Sequence, residues 1–565
     1  IAYARGAAGL AASLGLVLGA FRMRRDYFHE VLPWLSSKGV LVLFGCMVSA
    51  ALAYLALERL LRWFLCQPQG AWLLQPWGTP FGFVSLLSLL LTAAAFAHGT
   101  PTTLQDRNFV ARPAAAKGAG NMLVVVVDTL RADHLPVYGY AHGHTPALDR
   151  FSQDAIRFES AFANASWTRP SFASILTGRF ASSHRTMAKN DALPDEITTL
   201  PEALRDGGYH TMGVVTNYNV APFFNFHQGF DLYTYLEPKF VLGASDSAAK
   251  LLLVQSLRQA IETARAKQGR VEPGTAYQDA AAVNHAALQL IYNHPKVTQA
   301  PFFAFVAYMD PHDPYYPHPY NGTGYSRAAH PNPKPEEVDQ LIPLYDGEIT
   351  YWDEHFGALM NVLRQSGLYD DMTIVVTADH GEEFMDHGGF WHGTTLYDEA
   401  LHVPLLVKLP KNLQHGSVVR HFVQSVDLMP SLLRLAGVPV PAGVQGQDLF
   451  SGHDNVFAEE SHEGNVLTAL RWLRAGSALK LIHANKGNPR GLPETELYQV
   501  DRDPLELVDL ASEEPELMQL TEQALRAQQE AAEQGRAARR SVNLADDTAA
   551  AERLRALGYA GGSKR

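Results

Sequence analysis

The sequence predicts an α/β protein. A mostly parallel sheet is sandwiched by helices, with a small α+β subdomain at the C-terminus and transmembrane helices at the N-terminus. Three observations carry this. From Asn121 onward, short apolar, β-branched runs alternate with helical stretches, the pattern of parallel strands covered on both faces. Uncharged apolar runs crowd the first hundred residues. Past Asn455 strand-like runs follow one another directly and end in a polar helical stretch.

The chain has 565 residues, 47% hydrophobic and 18% charged, enough for a membrane segment plus one large or two modest domains. A net charge of -12 gives a nucleic-acid partner no general electrostatic support. The two cysteines, Cys46 and Cys66, both precede Gly99, which excludes a disulfide framework and a Cys-based metal site in the remainder.

Taken in order, Gly39 to Leu57 and Phe81 to Ala97 are apolar runs near the length that crosses a bilayer, and Gly6 to Phe21 is a shorter third. They predict a multi-pass membrane region over 1–100. Arg22, Arg24, Arg25 and Lys38 place the first loop in the cytoplasm, but the uncertain number of crossings leaves the side of the C-terminal part open. Residues 101–120, rich in Ala, Thr and Gly, read as a linker. A large α/β domain then spans 121–454.

Its strands are predicted at Met122 to Val127, His210 to Val215, Pro301 to Val306, Thr373 to Thr377 and Val403 to Val407. Helices are predicted at Leu200 to Asp206, Ala280 to Tyr292 and Asp346 to Ser366. A C-terminal subdomain over 455–565 is predicted to hold an antiparallel sheet built from runs near Val456, Thr468, Leu479 and Glu496. A polar helix follows from Glu513 to about Arg540.

Polar residues follow the strands. The first run ends in Asp128, the second in Asn217 and Asn219, the third in Asp310 and His312, the fourth in Asp379 and His380. Ligands of open α/β sheets bind at the carboxyl ends of the strands, so these groups converge on one edge. Between the first two strands, Pro170 to Thr177 reads as a short helix closed by Gly178, with Thr168 at its start. A hydroxyl there faces unpaired N–H groups and the positive end of the helix dipole, a setting that favours an alkoxide and an anionic ester; an ordinary helix cap is the alternative. Asp128, Thr168, Asp379 and His380 together make a ligand set for a divalent cation, better suited to Zn²⁺ or Mn²⁺ than to Ca²⁺. Coordination would make Thr168 a nucleophile.

Several ordered stretches carry a resemblance. They are Val127-Asp-Thr-Leu-Arg-Ala-Asp-His134, the Thr168 stretch, Asp310-Pro-His-Asp-Pro-Tyr315, Ala378-Asp-His-Gly-Glu382, His392-Gly-Thr-Thr-Leu-Tyr-Asp-Glu399, Glu496 to Pro504 and Leu557-Gly-Tyr559. Together they resemble the motifs of the sulfatase family in the alkaline phosphatase superfamily. The resemblance implies that family's fold, metal ligation by Asp128, Thr168, Asp379 and His380, and placement of His312 and His392 near the substrate or leaving group. It also implies a catalytic role for 121–454 and an extracytoplasmic position for it.

Two departures bear on the chemistry. Main-type sulfatases carry Cys-x-Pro-Ser-Arg, with the Cys converted to formylglycine, whereas this sequence has Thr168 and, in place of the Arg, Phe172. No formylglycine is expected, because a secondary alcohol cannot give that aldehyde. The family's Gly-Lys-x-His segment is also absent, with Thr216 to Asn219 near its place.

A threonine nucleophile resembles the superfamily's nucleotide phosphodiesterases, lipoteichoic acid synthases and phosphoethanolamine transferases. Asn217 or Asn219 is then a candidate holder of a phosphate oxygen. His312 and His392 are candidates to protonate the leaving oxygen or, with Asp310, to carry a second metal; a structural role is their alternative. The expected activity is metal-dependent hydrolysis of sulfate or phosphate esters by a membrane-anchored protein. The alternatives are transfer of a phospho-headgroup to a lipid or glycan, and anion binding without catalysis.

Overall fold

The computed structural model describes residues 37–67, 102–105, 114–116, 118–238 and 271–542, with isolated positions at 4, 5, 8, 9, 12, 13, 265, 553, 554 and 557. The chain divides into one compact unit of residues 1–102 and 239–267 and another of 103–238 and 268–565.

In the first unit, α1 (Ser37–Leu65) contains the apolar run Gly39 to Leu57. Among the described residues no helix is long and apolar enough to cross a membrane. This corrects the multi-pass membrane expectation. The last two turns of α1 carry Glu58, Arg59 and Arg62, and Glu58 pairs with both Arg62 and Arg5, so the helix ends in charge. The runs Gly6 to Phe21 and Phe81 to Ala97 lie largely or wholly outside the described residues.

The second unit opens within β1 (Thr102–Gln105), an edge strand inside the stretch expected to be linker. Then come β2 (Met122–Val127), α2 (Pro146–Asp154), β3 (Ile156–Phe158), α3 (Thr168–Thr177), α4 (Leu200–Asp206), β4 (His210–Val215) and β5 (Leu232–Tyr235). They are followed by α5 (Ala280–Val297), β6 (Phe302–Tyr308), α6 (Val338–Gln365), β7 (Thr373–Ala378), β8 (Leu405–Lys408), β9 (Val418–Val419) and α7 (Leu428–Leu435). The sheet order is β1-β5-β4-β6-β2-β7-β8-β3-β9. β5, β4, β6, β2 and β7 run parallel to one another.

Predicted as one more parallel strand, β8 instead runs antiparallel to β7 and β3. The reason is its connection. The chain leaves β7 at its carboxyl end, stays on that edge through residues 379–404, and re-enters the sheet from the same edge without a helical crossover.

All six residues of β2 are buried, and strand alternation divides them between two cores. Leu123, Val125 and Val127 pack with Ala280, Val283 and Ile291 of α5 and with Ile349, Trp352 and Phe356 of α6. Met122, Val124 and Val126 pack with Phe172 and Ile175 of α3, Leu200 and Leu204 of α4, and Leu428 and Leu432 of α7. A strand with apolar side chains on both faces needs cover on both, and the helices supply it.

β10 (Asn455–His462), β11 (Asn465–Arg474), β12 (Ser477–Ala484) and β13 (Thr495–Gln499) form an antiparallel sheet in chain order. Phe457, Leu470, Leu481 and Leu497 from these strands bury Leu525 and Ala532 of α8 (Pro515–Ala532). α8 stops short of the predicted Arg540, which instead pairs with Ala192 as part of a short strand.

The 379–404 loop is pinned by His387. Its ring stacks on Tyr397 at 3.6 Å, Nδ1 lies 2.8 Å from Glu399 Oε1, and Nε2 lies 3.2 Å from the Glu506 carbonyl. Burial alone would lower the imidazole, but Glu399 and Glu506 outweigh it and carry His387 from 6.5 up to about 9. A folded-state value above the unfolded one contributes stability fully present below pH 6.5 and lost as pH rises through about 9. The melting advantage of wild type over His387→Gln is therefore expected to be larger near pH 6 than near pH 10 in paired thermal scans.

Candidate active site

Each converging side chain is delivered by the end of an element. β2 releases Asp128, β4 Asn217, β6 His312, β7 Asp379 and His380, while α3 opens on Thr168. All six are buried, and so is His392 from the 379–404 loop.

Trp167, in extended conformation, is the N-cap of α3, and Gly178 ends the helix in the left-handed region at φ 61. Thr168 therefore occupies the first helical turn, not the cap position. Asn217 Nδ2 donates to Asp128 Oδ2 at 2.6 Å and lies 3.4 Å from Thr168 Oγ1. The Thr168 hydroxyl also bonds to Asp128.

Three atoms at this point are buried without a hydrogen-bond partner: Asp128 Oδ1, Asp379 Oδ2 and His380 Nε2. His380 Nε2 stands 3.6 Å from Asp128 Oδ1 and 3.4 Å from Asp379 Oδ2. One ligand atom from each of the three residues falls within 4.8 Å of the others. Orphaned carboxylate oxygens are costly in a dry interior, and oxygen and imidazole donors facing one point fit a divalent cation.

The remaining atoms of these ligands are fixed. His380 Nδ1 donates to the Gly381 carbonyl at 2.8 Å, which turns the Nε2 lone pair toward the carboxylates. Asp379 Oδ1 accepts from the backbone N–H of His380 at 2.9 Å and of Thr129 at 3.3 Å. Thr129 sits at φ 57, an unfavourable conformation for a β-branched residue, and Tyr345 donates to its carbonyl at 2.6 Å.

Burial pushes Asp128 up to about 6 against the pull of His312 and the Asn217 amide. Burial, and then the charge of Asp128, drives Asp379 well above the carboxylate range. Burial first, and His392 next, hold His380 well below 6.5. His312 is drawn down by burial but carried upward overall by Asp128, Asp313 and Glu382. His392 falls well below 6.5 through burial and the neighbouring charge of His312. The His312 and His392 rings lie 5.0 Å apart, and those of His380 and His392 4.6 Å apart. His312 Nδ1 donates to the Asp313 carbonyl at 2.6 Å, and His392 Nδ1 lies 2.9 Å from Glu382 Oε1.

Two predicted residues stand outside this first layer. Asn219 accepts from Arg169 at 2.8 Å and donates its backbone N–H to Asn217 Oδ1 at 2.8 Å, so it braces Asn217. Asp310 Oδ1 accepts from the Ala280 N–H at 2.8 Å, and its side chain lines a different cavity. The candidate second-metal set is thereby divided: His312 and His392 are together, and Asp310 is elsewhere. Phe172 packs on Phe305 at 5.9 Å in the core beneath α3.

Four residues at the site were not singled out from the sequence. Glu382 bridges His392 and the Tyr315 hydroxyl, the latter at 3.0 Å; its signal was its place two residues after His380. Arg327, on a loop without a readable pattern, is buried and adds positive charge near Glu382, Asp313, His392 and His462. His462 comes from β10 and packs at a tilt against Trp167 with ring centroids 4.6 Å apart, so the C-terminal sheet reaches the site. Arg169 lies over Phe224 at 3.6 Å and donates to the Ala188, Lys189 and Asp191 carbonyls, binding the start of α3 to the loop beyond it.

The mostly parallel sheet thus gathers carboxylates and an imidazole at its carboxyl edge beside a helix-initial hydroxyl, the arrangement of a hydrolytic α/β enzyme acting on anionic esters. The Sulfatase family model matches residues 120–438, more than half of the chain, and the chain belongs to that family. Arylsulfatase K of Bos taurus is 28% identical over 207 residues, 34% of this chain and 37% of its own length. The chain thus spans little more than a third of that relative. A solved protein in complex with its substrate D-glucosamine-2-N,6-O-disulfate is 19% identical, with a TM-score of 0.58 over 73% of this chain and 98% of its own. The phosphonate monoester hydrolase of Agrobacterium radiobacter is 21% identical, with a TM-score of 0.56 over 72% and 96%. At these identities the structural likenesses bear on the fold.

Proposed function

We propose that this protein is a metal-dependent hydrolase of sulfate or phosphate esters in which Thr168 is the nucleophile. The observation that carries the reading is the meeting of three orphaned ligand atoms, from Asp128, Asp379 and His380, beside the Thr168 hydroxyl. Those residues would hold Zn²⁺ or Mn²⁺, with Thr168 as a further ligand. Such an ion supplies positive charge that lowers the pKa of an adjoining hydroxyl and offsets the charge of the ester.

The chain's own groups account for the other steps. Asp128, with which the Thr168 hydroxyl already bonds, orients that hydroxyl, and its proton leaves to solvent. Thr168 Oγ1 bonds to the phosphorus or sulfur, and the bond to the leaving oxygen breaks. His312, whose hold on a proton the carboxylates around it strengthen, gives that oxygen a proton. Asn217 holds a non-bridging oxygen, and Arg327 adds charge opposite the anion. Water then attacks the threonine ester, His312 takes up the water's proton, and Thr168 is released and recovers from solvent the proton it gave up.

The absence of a cysteine at position 168 favours phosphate over sulfate. The decisive assay offers the Zn²⁺- or Mn²⁺-replete protein aryl phosphodiesters, phosphonate monoesters, phosphate monoesters and sulfates. Turnover of at least one class is expected, with phosphodiesters or phosphonate monoesters ahead of sulfates. Product formed only when an acceptor alcohol is added would point to transfer instead. Anion binding without turnover of any ester would make the chain a non-catalytic family member.

A further inference from the structure

The strand end that carries His312 into the active site carries Asp310 the other way, into a separate cavity of about 480 Å³. Its wall is formed by Tyr277, Asp279, Asp310, Tyr316, Glu348 and Tyr351, with the exposed Glu354 beside them. The Tyr277 hydroxyl lies among the carbonyls of Asp310 at 3.3 Å, His312 at 3.0 Å and Pro314 at 3.3 Å, so one loop shapes both places.

The lining contains four carboxylates and no Lys or Arg. Its one imidazole, His318, stacks on Tyr351 at 4.2 Å and lies 2.9 Å from Glu348 Oε2. Several of these carboxylate oxygens have local tasks. Asp279 Oδ1 caps α5 through the Ala282 N–H at 2.9 Å, and Glu348 Oε1 accepts the Tyr316 N–H at 2.6 Å. Asp310 Oδ1 accepts the Ala280 N–H at 2.8 Å. Asp310 Oδ2 has no hydrogen-bond partner, although the residue is only 1% exposed.

A buried acceptor left unpaired in a cavity calls for a donor from outside the chain. Among the described residues, the only three His or carboxylate donors that converge on a point are those of the active site, so this cavity lacks a metal's ligand geometry. It has a volume suited to a small organic molecule and tyrosine rings whose faces attract cationic nitrogen. We propose that the cavity binds an organic ammonium group, with Asp310 Oδ2 accepting from the nitrogen or facing its methyl groups and the tyrosines packing on the attached carbons.

The test is isothermal titration of the full chain with putrescine, choline and glucosamine, and in parallel with calcium and magnesium chloride. One-site binding of at least one amine is expected. Asp310→Asn should weaken it about tenfold or more, the effect of losing one charged hydrogen bond. Tyr351→Leu should weaken it severalfold. Glu354→Gln, an exposed change that does not touch the core, should weaken it a few-fold even if the buried variants fold poorly. Failure of every amine to bind, binding unaffected by all three substitutions, or binding of calcium or magnesium in place of the amines would overturn the proposal.

Discussion

Thr168→Ala is expected to lower kcat by about a thousandfold or more on every ester the protein turns over, about 4 kcal/mol of barrier. The reasoning is chemical. Nothing else among the described residues places a hydroxyl both at the first turn of a helix and against Asp128. Water recruited into the space left by the side chain lacks the tethered geometry that makes Thr168 effective. Thr168→Ser keeps the oxygen and loses a methyl group, so it should stay within about tenfold of wild type. The side chain is fully buried, and a general disturbance of α3 must be separated from loss of the nucleophile. Metal stoichiometry under replete conditions and melting temperature make that separation, because Asp128, Asp379 and His380 remain to hold the cation and the Ala variant should melt within a few degrees of wild type. Acid-quenched turnover mixtures of wild type should in addition yield a modified Thr168 peptide by mass spectrometry. Turnover by Thr168→Ala at the wild-type rate would remove the nucleophile from the mechanism.

Legibility in the sequence followed locality. Met122 to Val127 could be read as a strand covered on both faces because its apolar residues answer to a local period, and the polar residue after it could be read as an edge group for the same reason. Asp128, Asn217, His312, Asp379 and His380 were all found by that rule. The direction of β8 was not, because direction depends on where a loop travels and not on the strand's own composition. Asp310 follows its strand just as Asp128 does, yet it turns to the start of α5, a choice made by the Ala280 N–H that no periodicity reports. Arg327 and His462 reach the site from an irregular loop and from the C-terminal sheet, and only tertiary packing brings them there. The apolar run in α1 shows the opposite error. Composition alone suggested a membrane crossing, while the helix that contains the run continues into Glu58, Arg59 and Arg62.

Removing the metal is expected to abolish turnover and to lower the melting temperature, with a pH dependence that distinguishes this site from incidental binding. In the metal-free protein, burial holds Asp128 near 6 against an ordinary 3.8 and Asp379 higher still. A carboxyl group raised on folding contributes stability below its unfolded value and loses it as pH rises through the folded value, so the metal-free protein weakens from pH 3.8 upward past about 6. His380, neutral in the fold but protonated when unfolded below pH 6.5, contributes a slope of the opposite sign there, yet it has no proton to release when the cation binds. Binding a cation requires ionised carboxylates, so it releases protons and removes exactly the penalty that grows with pH. The melting temperature gained on adding Zn²⁺ or Mn²⁺ should therefore increase from about pH 5 to about pH 8; at a hundredfold excess over Kd the stabilisation is about 2.7 kcal/mol. Asp379→Asn cannot ionise at that position, and it should lose both most of the gain and the turnover. Fewer than about one metal equivalent bound by wild type under replete conditions, or a melting gain that Asp379→Asn shares in full, would place the cation somewhere other than between Asp128, Asp379 and His380.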